Sequence, residues 1–292
     1  MEYHIILNPA AGRGAVKKVQ PRLLKDFGSQ LGEAQFHPTG SPGHATQIAA
    51  SLKEKNATVI AVGGDGTIYE TANGLVGGNC TLGIIPIGSG NDFIKMLNLP
   101  LNFQEAIRVI QRGKTMRIDV GQVGESYFVN GLGMGFDAEV VIETQKVKKL
   151  RGFLIYLYSV FKALLRYRNR QITLIVEGKS ETREIFMVSV GNGKYLGGGF
   201  CLTPGAELND GILDVCVFRG LSRGEVLAHL PKALKGRHVE LPQVECLRVT
   251  KLIVESSEGL PVHADGELLS PNLRRVEVGV LPGALTVIHN LA

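Results

Sequence analysis

The first 120 residues alternate short apolar segments with longer amphipathic ones. Strand-like segments lie at about 4–7, 35–37, 59–62 and 81–85, and helix-like periodicity lies at about 16–31, 43–55, 68–75 and from Asp92 onward. This alternation predicts a parallel sheet covered by helices on both faces. Ligands of such sheets bind at the carboxyl ends of the strands, so the loops that follow the strands are the expected functional positions.

From about residue 117 the pattern changes to short segments rich in Val, Ile and Phe, separated by glycine. These segments predict a mainly antiparallel sheet. Two helices are expected within it, one over 138–167 and one over 223–234. The chain is therefore predicted to contain an α/β domain followed by a β-rich domain.

The helix predicted over 138–167 has an apolar, aromatic stretch at 152–161 with Lys and Arg on both sides. A helix of this kind is suited to an acidic membrane surface. It is equally compatible with packing of its apolar face against the sheet of its own domain, with the basic side chains in solvent. The sequence leaves both interpretations open.

Composition and charge limit the kinds of protein that this chain could be, but they do not identify its ligand. With 292 residues, 44% of them hydrophobic, the chain can bury the cores of two domains. Its net charge of +5 favours anionic partners such as nucleotides or acidic lipids. The four cysteines form no C-x-x-C pair, which favours buried thiols in a reducing compartment over disulfides or zinc.

The chain shows no signal peptide and no apolar segment approaching the roughly 20 residues of a membrane span. The sequence therefore predicts a cytoplasmic protein. Peripheral contact with the inner face of the membrane is the alternative that the basic helix suggests.

A glycine-rich loop, Gly63-Gly64-Asp65-Gly66-Thr67, lies between a strand-like and a helix-like segment. Glycines let the backbone approach an anion, and the amides that begin a helix point positive charge at it. Asp65 beside phosphates is expected to face a metal ion or to order a hydrogen-bond network. The alternative is a tight turn of any α/β domain.

Two more aspartates could join Asp65. Asp92 ends a second glycine loop that begins at Gly88, and Asp119 interrupts a strand-like segment near the predicted domain junction. A buried cluster of three carboxylates needs a cation or a proton, which predicts Mg²⁺ or ordered water among them. The alternatives are a helix cap for Asp92 and unrelated positions for all three.

Two acidic loops occur in the second half of the chain. The loop at 204–214 could bind a divalent cation through Asp210 and nearby carbonyls, or could be an Asp-Gly hairpin turn. The turn at 263–267 carries Glu267, which could accept a proton from a substrate hydroxyl or could be an ordinary solvated residue.

Taken together, these motifs resemble bacterial lipid kinases of the diacylglycerol kinase catalytic family, from about Tyr3 to the C-terminus. The motifs that carry the resemblance occur in order: Asn8-Pro9 with Gly12 and Gly14, Thr39 with Gly43-His44-Ala45, the loops at 63–67 and 88–92, Asp119, the run over 197–214 and Asp265-Gly266-Glu267. The ordered set gives the specificity, since Gly-Gly-Asp-Gly-Thr alone is shared with NAD kinases.

The resemblance implies an NAD kinase-like or phosphofructokinase-like nucleotide-binding α/β domain over 1–120 and a β-sandwich lipid-substrate domain over 121–280. Residues 281–292 would return to the first domain, and the active cleft would lie between the domains. By position, the ATP contacts would be Asn8, Thr39, Gly63, Gly64, Asp65, Gly66, Thr67, Gly88 and Ser89.

The resemblance also assigns roles to the acidic residues. Asp65, Asp92 and Asp119 would form the network around the catalytic Mg²⁺, and Glu267 would be the catalytic base. A structural magnesium site would use Glu207, Asp210 and Ile212, the first and last through backbone carbonyls.

The predicted activity is transfer of the γ-phosphoryl group of ATP to a lipid hydroxyl, most simply diacylglycerol to phosphatidic acid. The alternatives are a kinase of NAD or another soluble alcohol, and a non-catalytic nucleotide- or lipid-binding protein. ATP and a membrane lipid are the expected partners, and nucleic acid is not. The identity of the lipid and the oligomeric state, including a homodimer, stay open.

Overall fold

The computed structural model describes residues 2–12, 14, 16–17, 21, 34–88, 90–147 and 153–292. Most of the helix predicted over 16–31 therefore lies outside the described residues, as do Ser89, Lys148, Lys149 and Arg151. The chain divides into two units, Met1–Val120 with Pro282–Ala292, and Gly121–Leu281.

A parallel sheet organises the first unit, as the alternating pattern predicts. Its strands are β1 (Glu2–Leu7), β2 (Ala34–Pro38), β3 (Ala57–Gly63) and β4 (Thr81–Pro86), in the order β2-β1-β3-β4. The helices whose full extent lies within the described residues are α1 (His44–Leu52), α2 (Asp65–Leu75), α3 (Asp92–Met96) and α4 (Phe103–Arg112). All seven residues of β3 are buried, which is typical of a parallel strand covered on both faces.

Two strands connect the units along the chain. Strand β5 (Thr115–Val123) leaves the first unit, and the last strand, β15 (Glu267–Ile288), returns to it. At the end of β15, Thr286 and Val287 pair in parallel with Thr81 and Leu82 of β4. The last strand of the chain thus extends the first sheet beyond β4.

Antiparallel strands form the second unit, as predicted. They are β6 (Ser126–Phe128), β7 (Gly131–Gly135), β8 (Arg170–Val176), β9 (Lys179–Gly191), β10 (Tyr195–Leu196), β11 (Phe200–Cys201), β12 (Leu213–Arg219), β13 (Val244–Val249) and β14 (Lys251–Ala264), followed by most of β15. The long strands β9 and β14 each pair with β8 near their start and with β7 near their end. Because β9 and β14 each pair with both β7 and β8, the strands of the unit take a sandwich-like arrangement.

The prediction of a single helix over 138–167 is wrong, because the structure contains two helices there. They are α5 (Phe136–Gln145) and α6 (Phe153–Leu164). Helix α5 ends where the amides of Lys146 and Val147 bond to carbonyls three residues back, which tightens the last turn and ends the α-helical ladder.

The helix predicted over 223–234 is confirmed as α7 (Arg223–Leu234). It begins with a capping box, in which Ser222 and Glu225 each accept a hydrogen bond from the other's backbone amide. A 3₁₀ helix follows at Arg237–Glu240. Across the described residues, no helix has the length and apolar character needed to span a bilayer.

Candidate active site

Three loops of the first unit lie at the same edge of the parallel sheet. Leu7 pairs with Val62, and Gly63 pairs with Pro86, so β1, β3 and β4 end at the same level. The loops that begin at Asn8, Gly64 and Ile87 therefore emerge side by side, at the edge where the strand pattern places a ligand.

The two glycine loops pack backbone against backbone. The amide of Ile87 donates to the carbonyl of Gly63 at 2.7 Å. A β-carbon added to Gly88 would lie 2.6 Å from the Cα of Gly64, and one added to Gly64 would lie 3.2 Å from the Cα of Gly88. Glycine is thus required at these positions by loop contact as well as by any approach of a phosphate. Helix α2 begins here without a side-chain cap.

Asp65 holds the second glycine loop in place. Its Oδ2 accepts a hydrogen bond from the amide of Asn91 at 2.7 Å, and its Oδ1 accepts one from the amide of Asp92 at 3.1 Å. Asn91 has a left-handed conformation, φ 56°, which places its amide and the next one on the carboxylate. Burial, and then the negative charge of Asp92, raise the pKa of Asp65 above its ordinary value.

The structure brings Asp92 to Asp65, and Asp119 accepts a hydrogen bond from the chain segment that returns to the first unit. Asp92 is 6% exposed and pairs with the Nζ of Lys95 at 2.8 Å. Asp119 is 3% exposed, and its Oδ1 accepts from the amide of Gly283 at 2.7 Å. Asp65 and Asp92 are therefore close neighbours, Asp119 fixes the start of the returning chain segment, and the three-carboxylate cluster stays a prediction.

The remaining predicted nucleotide contacts lie beside these loops. The Nδ2 of Asn8 donates to the Oγ1 of Thr67 at 3.1 Å, which ties the loop after β1 to the first turn of α2, where Gly66 also lies. The amide of Thr39 donates to the carbonyl of Leu7 at 2.9 Å. Ser89, the last predicted ATP contact, lies outside the described residues.

Glu70 is a residue that the sequence analysis missed. Its carboxylate accepts from the amides of Gly43 at 2.9 Å and Ala45 at 3.1 Å, so α2 supplies the cap of α1. The negative group occupies the positive end of α1, which stabilises that end. No local pattern could reveal this cap, because Glu70 is distant in sequence from both amides.

Glu267 follows a two-residue turn between β14 and β15. Ala264 pairs with Glu267, while Asp265 and Gly266 have φ of 49° and 87°. Two consecutive positive φ angles identify a type I′ hairpin turn. Glu267 is exposed at the first position of β15.

Asp265 anchors this turn, a role that the sequence analysis did not assign. Its carboxylate accepts from the amides of Val129 at 2.8 Å, Asn130 at 3.0 Å and Gly131 at 2.7 Å. Burial raises the pKa of Asp265 to about 6, although the three amide hydrogen bonds act in the opposite direction. The position of Glu267 is therefore fixed through Asp265 to the segment before β7.

An apolar cavity lies within the second unit. It is partly open to solvent, and the empty space within it, including that open part, amounts to about 870 Å³. Its walls are mainly aromatic and aliphatic, and include Phe136, Tyr156, Phe186, Leu202, Phe218 and Leu230.

A polar pair interrupts the apolar wall of the cavity. Asp137 and His263 both line it, as does Gly266, the residue before Glu267. The Nδ1 of His263 accepts from the amide of Gly266 at 3.2 Å, which assigns the ring proton to Nε2. The Nε2 atom lies 3.5 Å from the Oδ2 of Asp137. This oxygen of Asp137 is buried, and apart from the His263 ring it has no donor within hydrogen-bond distance among the described residues.

Arg248 already neutralises the loop that was predicted to bind magnesium. Its guanidinium pairs with Asp210 and lies 3.8 Å from the Oδ2 of Asp214, which is buried. Asp210 also accepts from the amide of Ile212 at 3.1 Å. Burial raises the pKa of Asp214, and the negative charges of Asp210 and Glu207 add to that rise.

The oxygen donors of this loop suit a hard divalent cation, but the described part of the chain contains no group of three His, Cys, Asp or Glu side chains that could hold a metal ion. A cation would therefore have to displace Arg248 from Asp210 and take additional backbone or water oxygens.

Comparison with known proteins covers nearly the whole chain. Residues 2–123 match the model of the diacylglycerol kinase catalytic domain, and residues 130–289 match the YegS C-terminal NAD kinase beta sandwich-like domain. These matches confirm the predicted fold class, an α/β domain followed by a β-sandwich domain.

Individual proteins agree with the family models. A diacylglycerol kinase from Bacillus subtilis is 33% identical, covering 98% of this chain and 93% of the relative. A Chromohalobacter salexigens protein named "Probable lipid kinase YegS-like" is 34% identical over 92% of this chain and 89% of its own. A crystal structure of a diacylglycerol kinase from Bacillus anthracis superposes with a TM-score of 0.81 at 27% identity, covering 99% and 97% of the two chains.

The two family models together account for both units of the chain, and the relatives are matched along almost their full length. The chain belongs to the bacterial family of diacylglycerol kinases and YegS-like lipid kinases, which are phosphotransferases with an alcohol acceptor.

Proposed function

We propose that the protein transfers the γ-phosphoryl group of ATP to the hydroxyl of a diacylglycerol, giving phosphatidic acid and ADP. The observation that carries the choice of a lipid acceptor is the apolar cavity of the second unit. A soluble acceptor such as NAD would leave these aromatic and aliphatic walls without a partner, whereas an acyl chain buries them.

The three adjoining loops of the first unit support the nucleotide part of the proposal. The loop after β3 brings two glycines and the uncapped start of α2 to the sheet edge. Amides at a helix start bind phosphate oxygens and carry a partial positive charge. Asp65 contributes by holding the amides of Asn91 and Asp92 in a fixed orientation, since such transfers depend chiefly on positioning and electrostatics.

Two kinds of magnesium site are part of the proposal. Asp65 and Asp92 fit a catalytic Mg²⁺, because two buried carboxylates side by side gain from a hard cation. When bound, Mg²⁺ would offset negative charge on the transferring phosphoryl group. We further propose that a structural cation displaces Arg248 and binds Asp210 with carbonyls of Glu207 and Ile212.

Glu267 is the proposed base. The type I′ turn and the Asp265 anchor hold it at a fixed, exposed position. A carboxylate so placed can accept the proton of the attacking hydroxyl while that oxygen forms its bond to phosphorus. Gly266 lines the apolar cavity, so an acceptor bound there would have its polar end near this turn.

The test is transfer of labelled γ-phosphate from ATP and Mg²⁺ to a lipid panel in mixed micelles, with NAD as a soluble acceptor. We expect labelled phosphatidic acid from the wild type, at least a 100-fold loss for Asp65→Asn and Glu267→Gln, and full activity for Glu125→Gln, which alters an exposed turn glutamate. Label on NAD would identify a soluble-alcohol kinase. ATP binding without any product would identify a binding protein.

We also propose that α6 docks the protein on an acidic membrane surface. Four large apolar side chains on this helix and just after it are exposed: Leu154, Tyr158, Phe161 and Leu165. Their spacing of four, three and four places them on one face of the helix, opposite the buried Val160 and Ala163. Exposed Lys162, Arg166 and Arg168 accompany them, which is the combination that binds anionic lipid surfaces.

Sedimentation with vesicles tests this docking face. Phe161→Ser together with Leu165→Ser should reduce binding to vesicles rich in phosphatidylglycerol at least tenfold. Leu101→Ser is the matched control, since Leu101 and Leu165 are both 67% exposed and Leu101 lies in the first unit. Unchanged vesicle binding would refute the proposal, and loss of a dimer in solution would assign the face to a second copy.

A further inference from the structure

Two cysteines face each other on neighbouring strands. Three of the four cysteines are buried, as the sequence predicts, but Cys246 is exposed. Cys216 of β12 is directly opposite Cys246 of β13, and their sulfur atoms are 3.3 Å apart. Opposite residues of antiparallel strands have Cα atoms roughly 4.5–5.5 Å apart, which lies within the roughly 4.4–6.8 Å that disulfides require. A bond would need the sulfurs to approach by only about 1.3 Å.

The two thiols differ in a way that suits ordered oxidation. Either sulfur could donate in this contact; when the thiol of Cys216 is the donor, the hydrogen bond lowers the pKa of Cys246. The same contact, together with burial, raises the pKa of Cys216. The exposed Cys246 is therefore the more nucleophilic thiol at neutral pH, and the buried Cys216 is placed to react with it.

We propose that Cys216 and Cys246 form a reversible dithiol-disulfide site that is oxidised by low-molecular-weight disulfides such as oxidised glutathione. The Cys246 thiolate attacks one sulfur of the small disulfide and releases one thiolate. Cys216 then attacks the Cys246 sulfur, loses its proton to solvent and displaces the second thiol. Two protein thiols are oxidised to one disulfide, and one small disulfide is reduced to two thiols.

The bond would restrain one wall of the apolar cavity. The chain between the two cysteines, a loop of about 30 residues, contains α7 and the following 3₁₀ helix. Val226, Leu230, Ala233 and His238 of this segment line the cavity. Cys216 itself packs in the same core cluster as Phe218 and Leu202. Closing the loop therefore ties both ends of a cavity wall together.

The test treats the full chain with oxidised glutathione, counts thiols and maps bridges by mass spectrometry of unreduced peptides. We expect two of the four thiols to disappear, a bridge joining Cys216 to Cys246, and full reversal by dithiothreitol. Cys201→Ser should still form the bridge, whereas Cys246→Ser should form none. Four persistent thiols, a lasting glutathione adduct on Cys246, or a bridge from Cys216 to Cys201 would each overturn the site.

Amide hydrogen exchange tests the consequence for the cavity wall. Exchange over residues 223–240 should slow at least threefold in the oxidised wild type and stay unchanged in Cys246→Ser treated in the same way. Equal exchange in the oxidised and reduced wild type would overturn the restraint. Neither readout depends on kinase activity, so failure of this site and failure of the proposed lipid kinase reaction are distinguishable.

Discussion

Replacement of Asp265 by asparagine should remove a pH-dependent part of the stability of the second unit. The pKa of Asp265 is raised by burial from an ordinary value of 3.8 to about 6. Between these two values the folded protein holds a proton that the unfolded chain has released. The free energy of unfolding must therefore fall as the pH rises through this window, by about 1.4 kcal/mol per pKa unit, or about 3 kcal/mol in total.

Asparagine is the informative substitution because it keeps the left-handed φ of 49° accessible and carries no charge. One amide oxygen can still accept from Asn130 and Gly131, as Oδ1 of Asp265 does. The new NH₂ group would face the amide of Val129, and the lost acceptor costs about 1–3 kcal/mol. Below pH 4 the variant should be less stable than the wild type. Near pH 8 the two should differ by no more than about 2 kcal/mol.

Urea unfolding followed by circular dichroism, from pH 4 to pH 8, measures this effect. The difference between wild type and Asp265→Asn isolates Asp265 from the other titrating groups, and Glu125→Gln reports the effect of losing an exposed carboxylate. A difference that does not change with pH would show that burial does not dominate the pKa of Asp265. A wild type that gains stability relative to the variant as the pH rises would show that the three amides dominate instead.

Two other substitutions follow from the loops. Gly88→Ala should abolish ATP binding measured by calorimetry, because the new methyl would lie 2.6 Å from the Cα of Gly64. The control Gly224→Ala, which has open space around its position, should bind ATP normally. Normal binding by Gly88→Ala would refute the need for loop contact. Arg248→Met should lower the thermal unfolding midpoint measured without metal, because Asp210 loses the guanidinium that pairs with it. Added Mg²⁺ should raise the midpoint of this variant more than that of the wild type. Equal rises in the two proteins would refute displacement of Arg248.

Local pattern was sufficient to predict the parallel sheet and the edge at which its loops meet. The continuous apolar segment of β3 and the glycines after it encode both features within a few residues. The pattern also predicted that Asp65, Asp92 and Asp119 could share one site. The structure places Asp65 beside Asp92, on loops that follow adjacent parallel strands.

Contacts between distant segments could not be predicted in this way. Asp119 accepts from the amide of Gly283, and Asp210 pairs with Arg248; both partners are far along the chain, where no spacing rule applies. The end of α5 at Gln145 was missed because the apolar and basic pattern continues past it. Asp265 was taken only as part of an acidic turn, because nothing near it in sequence indicates the three amides that it accepts from.

The return of residues 282–292 to the first unit has a consequence for biosynthesis. The strand that pairs with β4, and the amide of Gly283 that bonds to Asp119, are made after all of the second unit. Domains generally fold as they leave the ribosome, in the order of synthesis. Here the first unit must wait, with one edge of β4 unpaired, until the second unit has been translated. A nascent chain stalled within the second unit should therefore expose that edge to chaperones.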